Sequence, residues 1–205
     1  PDDARRAFLR AIEVQPGAMD AQAALTRLDV VQGRGAEAEK RLRALLGSQP
    51  KNAVARNLLG ELKLAAKAPR EAAPLFEQAI RDQPRWSVPY RNLANCRSQL
   101  GDADGMLAAY RNGVAATGHA LDLTMELAAV YEARGKVDDA IALYDTLLRG
   151  RPREDAAANN LAMLLVTYRS DRRSLERALE LTEPFARSES GAFLDTSGWV
   201  RLKTG

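Results

Sequence analysis

The chain carries one histidine, His119, and one cysteine, Cys96. A nucleophile–base pair would need these two, or a hydroxyl and His119, to meet in space. A thiolate metal site would need more sulfur than a single residue offers. His119 follows Gly118 in a turn, where a solvated side chain is the expected role. Cys96 lies three positions past Leu93 on a helical stretch and reads as a small buried apolar residue rather than a reactive thiol. Acidic residues such as Asp138, Asp139, Glu37 and Glu39 open helical stretches, where they complement the helix dipole instead of forming acid–base pairs. No glycine-rich run with the spacing of a phosphate cradle occurs. The basic runs Arg151-Pro-Arg153 and Arg169–Arg173 are interrupted by proline or acid and read as solvated turns before phosphate contacts. The expectation is no catalytic residue, no metal and no cofactor.

Composition points to helices that pack closely. Of 205 residues 46% are hydrophobic but only 5% aromatic, with alanine, leucine and arginine abundant. Thirty basic residues face 27 acidic ones, leaving a formal charge of +3, so the basic pI reflects interspersed arginines and predicts no nucleic-acid partner. No window approaches the ~18 apolar residues of a membrane span. One cysteine leaves the redox compartment undecided, and PDDARRAF at the start does not read as a targeting peptide.

The elements that position any functional side chain are set by a period. Pro16, Pro50, Pro84 and Pro152 fall on a 34-residue grid, with Gly118 at the remaining point. Upstream of each lies a small residue (Ala4, Ala38, Ala72 and Ala140, with Met106 the exception) and a large one (Phe8, Leu42, Phe76, Tyr110, Tyr144). Downstream come Leu25, Leu59, Leu93, Leu127 and Leu161, followed by Thr26, Gly60, Ala94, Ala128 and Ala162. Such a period marks stacked units, none of which can bury its apolar face alone. Apolar spacings of three and four within a unit predict two amphipathic helices. Gly33, Gly101 and Gly135 turn the chain between them, the proline ends the second helix, and Asn52 and Ser87 are expected N-caps. Met106 should push its helix pair apart, and Pro74 should loosen the ladder of its helix.

These columns resemble the tetratricopeptide repeat, whose first helix reads W-x2-L-G-x2-Y and whose second reads A-x3-F followed by P. The family's tryptophan position holds Gln22, Arg56, Tyr90, Thr124 and Ala158 here. The resemblance spans essentially the whole chain and implies an all-α, right-handed superhelical solenoid of antiparallel helix pairs. The predicted organisation is a single array: a second helix over 1–18, full repeats over 19–52, 53–86, 87–120, 121–154 and 155–190, and a first helix over 191–205. The repeat 155–190 runs two residues over the period, and the extra residues are expected between its helices, around Tyr168–Arg173. Phe8, Ile12, Leu194 and Trp199 read as stacking residues rather than a polar cap, which suggests a fragment of a longer repeat protein.

The same resemblance implies that first helices line a concave groove for a protein or peptide. Mapped by position, that groove comprises Val54, Asn57, Glu61 and Leu64; Val88, Arg91, Asn92, Asn95 and Gln99; Asp122, Met125, Glu126 and Glu132; and Asn159, Asn160, Met163 and Thr167. An asparagine amide donates and accepts, so a row of them can pair with an extended backbone, while valine and methionine take apolar side chains. The alternative is a set of tolerated polar residues on a solvated face. Arg91 and Asn95 open the pattern that clamps a peptide C-terminus, but Glu126, Ala156 and Asn160 do not complete it. The closing segment is similar to the terminal repeats of bacterial envelope proteins that accompany exopolysaccharide export, which leans towards periplasm or outer membrane, with cytoplasm the alternative. The expected function is a non-enzymatic scaffold, and the rival is a structural spacer whose ends associate with other copies.

Overall fold

A computed structural model describes residues 2–205, and twelve α-helices account for most of them: α1 (Asp2–Val14), α2 (Met19–Val31), α3 (Gly35–Ser48), α4 (Ala53–Ala65), α5 (Pro69–Asp82), α6 (Ser87–Gln99), α7 (Ala103–Ala116), α8 (Leu121–Ala133), α9 (Val137–Gly150), α10 (Asp155–Tyr168), α11 (Arg172–Thr182) and α12 (Gly191–Thr204). A 3-10 turn, Glu183–Arg187, follows α11, and no strand occurs among the described residues. The fold is all-α, and consecutive helices pack as a helical repeat solenoid within each of two compact units. The first unit ends at Gly118 and the second begins at His119.

Local chemistry explains the boundaries. Asn52 caps α4, its side chain accepting from the Ala55 N–H at 2.9 Å. Asp102 and Asp171 cap α7 and α11 in the same way. Ser87 is the first residue of α6 and Trp86 is its N-cap, so the hydroxyl does not occupy the expected capping place. Gly33, Gly101 and Gly135 take positive φ between paired helices, and Lys67 occupies the corresponding site at φ 57° despite its Cβ. Helix α5 runs through exposed Pro74, which lacks the N–H that would bond the carbonyl four residues back. Met106 is half-buried where Ala38, Ala72 and Ala140 are fully enclosed, so its extra volume is partly accommodated at the surface.

The first unit is closely packed. Gly60 lets α4 approach the fully buried Phe76 of α5, and a Cβ there would meet the ring at 2.6 Å. Ala72, Ala73, Phe76 and Cys96 form one cluster beneath Leu64 and Leu93. Among α1, α2 and α3 a buried polar cluster accompanies the enclosed apolar residues Leu25, Ala38 and Leu42. Fully buried Asp29 meets Arg5 at 3.2 Å and Arg41 at 2.8 Å, and Arg41 also donates to Gln22 and Thr26. A buried carboxylate is tolerated where two guanidiniums complete its hydrogen bonds.

In the repeat 155–190 the two extra residues are divided. Helices α10 and α11 start 17 residues apart, against 16 for α4 and α5, so one extra residue falls where expected. The other follows α11, where the chain tightens into the 3-10 turn and Phe185 stacks on Phe193 with centroids 4.6 Å apart.

Candidate functional site

In the first unit the predicted groove residues turn mostly toward one another. Asn57 is only 2% exposed: its Nδ2 donates to Glu61 Oε1 at 2.8 Å. From α6, Asn92 Nδ2 donates to Asn57 Oδ1 at 3.0 Å and to Glu61 at 3.2 Å. The three side chains join α4 to α6, which corrects the expectation that Asn57 faces a ligand: its amide is enclosed and satisfied. Gln99 donates to Asn95 Oδ1 at 3.1 Å on the exposed side of α6, while Arg91 is half-buried and engaged. Val88 is half-buried. Val54 belongs to a shallow groove of about 630 Å³ at the helix ends, beside Met19, Pro50 and Gln83.

The second unit gathers its predicted residues. Met125 and Glu126 of α8 line a pocket of about 470 Å³ with Asn160 and Met163 of α10. Ala129, Glu132, Leu164, Thr167 and Tyr144 complete the lining. Asn159 Nδ2 donates to Asn160 Oδ1 at 3.2 Å, and Asn160 Nδ2 donates to the Tyr144 hydroxyl at 3.2 Å. Asn159 keeps a buried carbonyl oxygen with no hydrogen-bond donor. At the rim the Tyr168 hydroxyl donates to Glu132 at 3.2 Å. Burial pushes the Tyr144 phenol up, the bond from Asn160 opposes this, and the charge of Glu132 adds to the rise. Both phenols therefore stay protonated near neutral pH. The pocket combines two flexible thioethers, an amide, a phenol and acidic rims, which suits a side chain with apolar length and polar ends.

Sequence reading by first-helix position missed Tyr144, which comes from second helix α9. Its column holds Phe8, Leu42, Phe76 and Tyr110 elsewhere, so the hydroxyl, shared with Tyr110 alone, was the available signal: a buried phenol needs a partner. Gln22, Thr26 and Asp29 were likewise legible as polar residues on the buried stripe of α2, awaiting Arg41.

A larger groove of about 710 Å³ runs among α9, α10 and α11. Its walls neutralise each other: Arg169 pairs with Asp138, and Arg177 with Asp145 at 2.6 Å. Such a self-paired surface offers little selectivity beyond solvated charge. Cys96 is fully buried, and burial pushes its thiol up to about 11, leaving almost no thiolate at neutral pH. His119 sits in the turn at φ 59° with its Nδ1 buried and lacking a hydrogen bond. Among the described residues no cluster of His, Cys, Asp or Glu is placed to hold a metal, and no helix is long and apolar enough to cross a membrane.

Models of the tetratricopeptide repeat match residues 1–62 and, in two overlapping matches, 91–157 and 125–167. No curated protein matches the chain. Solved structures do. A thermophilic TPR protein of Thermus thermophilus is 22% identical, with a TM-score of 0.57 over 80% of this chain and 90% of that one. PilF of Pseudomonas aeruginosa is 18% identical, with a TM-score of 0.57 over 97% and 98%. YrrB, described as a TPR protein with an unusual peptide-binding site, is 17% identical, with a TM-score of 0.50 over 96% and 95%. At these identities the likeness shows the fold.

Proposed function

Because the chain belongs to the tetratricopeptide repeat family, whose members bind proteins or peptides, we propose that it is a non-enzymatic scaffold that holds an extended protein segment against α8 and α10. The observation that carries this reading is the pocket where Met125, Glu126, Asn160 and Met163 converge on the Tyr144 hydroxyl. Asn160 and Tyr144 address a peptide backbone, and the two thioethers adapt to an apolar side chain beside it. The peptide-binding site named for YrrB supports the class of ligand, not its position. The exopolysaccharide-export context rests on the closing segment of the sequence alone, and none of the solved relatives adds to it.

An array of extended peptides probed with the wild-type protein and with Met163→Glu tests the reading. Peptides bound by the wild type should lose at least about tenfold in affinity, because a carboxylate enters the apolar part of the pocket. Helicity and melting should stay unchanged. Equal binding by both proteins would move the site elsewhere.

A further inference from the structure

The pocket between α8 and α10 has acidic ends and an apolar middle. On α8, Glu126 and Glu132 are separated by about 9 Å along the axis, at roughly 1.5 Å per residue. Between them the lining residue is Ala129, exposed and short. Its column holds Glu61, Asn95 and Met163 in other repeats, so the small residue at 129 leaves room that a longer one would take. The thioethers of Met125 and Met163 line the same space, and among the described residues no lysine, arginine or histidine joins the lining.

Glu132 is the exposed carboxylate of the two, and its position is held. The Tyr168 hydroxyl donates to Oε1, which leaves Oε2 with no bonded donor among the described residues. Burial raises the Tyr144 phenol first and the charge of Glu132 adds to it, whereas at Tyr168 the bond to Glu132 leads. The field of this one carboxylate therefore reaches from the rim to the back of the pocket.

We propose that the pocket takes a lysine or arginine side chain of the bound segment, its methylenes lying along Met125 and Met163 and its cation against Glu132. This rests on the reading of the pocket as a peptide site and adds the chemistry of the side chain that enters. A basic side chain is apolar along its stem and charged at its tip, which matches the lining in the same order. A thioether adapts to methylenes without demanding one rotamer. A purely aliphatic side chain would fill the middle but set an apolar tip beside a carboxylate, and an acidic one would be repelled. The cation stays at the rim and keeps part of its hydration, so the pairing gives selectivity more than raw affinity. Lysine offers a compact ammonium to Oε2. The arginine fork would compete with Tyr168 for both oxygens, so lysine should bind the more tightly.

Fluorescence anisotropy tests this with an uncharged extended peptide, blocked at both ends and carrying lysine, arginine, norleucine or glutamate at its centre. The protein should bind the lysine peptide about fivefold more tightly than the norleucine peptide, with arginine between them and glutamate weakest. Raising the salt from roughly 0.05 to 0.5 M should shrink that preference, and Glu132→Gln should bring it close to parity. Ala129→Leu fills the middle of the pocket at an exposed helical position where leucine is well tolerated, and should weaken every bound peptide at least about tenfold. Norleucine bound as tightly as lysine, or a lysine preference that survives Glu132→Gln, overturns the cation while sensitivity to Ala129→Leu keeps the peptide site. Binding indifferent to Ala129→Leu, or no binding of any peptide in the series, overturns the peptide site and the cation together.

Discussion

The two units use the same kind of surface in opposite ways. On α4 and α6 of the first unit, Asn57, Glu61 and Asn92 satisfy one another and tie neighbouring repeats together. On α8 and α10 of the second, Asn160 accepts from adjacent Asn159 and donates to a hydroxyl at the edge of a pocket, and methionines stand where further polar contacts could have closed it. An inner face can contribute to stability or remain available to a ligand, and the side chains of one turn decide which. Asparagine at an inward position therefore does not identify a binding residue until its neighbour one repeat away is known.

The largest expected effect bears on how tightly the first unit is built. Gly60→Leu drives a side chain into the Phe76 ring, and thermal melting should show a loss of about 3 kcal/mol or more. A small loss would mean that α4 and α5 can part, and that the first unit is as open as the second. Asn57→Ala comes next. It removes a buried amide and leaves Glu61 and Asn92 short of partners, so denaturant unfolding should show about 2 kcal/mol lost, with peptide affinity unaltered. Asn160→Ala is the mirror case: stability should fall by under about 1 kcal/mol, since water can reach the Tyr144 hydroxyl from the pocket, while affinity falls several-fold. Reversed outcomes for the two asparagines would exchange the roles assigned to the units.

The helical pairs were legible because three constraints recur on a 34-residue grid, all but the copy at Met106 and Gly118 keeping them: a proline that stops a helix, a small residue where helices approach, and a large one that fills the gap beside it. The site was legible only in part. Position within the repeat placed Met125, Glu126, Asn160 and Met163 on inward faces, and they do line one pocket. The same rule placed Asn57 on that surface, yet its side chain turns to Asn92, a contact between residues 35 apart that local spacing does not encode. Tyr144 was hidden by its column, which marks core packing and says nothing of a hydroxyl reaching the pocket. Lys67 shows the backbone version of this limit, since the turn imposes a left-handed conformation even where glycine is missing.

The chain has four methionines, and this makes the central claim directly observable. Met125 and Met163 line the pocket of the second unit, whereas Met19 borders the shallow groove of the first and Met106 is half-buried on α7. In methyl-labelled NMR spectra recorded while a bound peptide is added, the Met125 and Met163 signals should shift together and the other two should stay in place. Movement of Met19 with Met125 and Met163 unmoved would contradict the account.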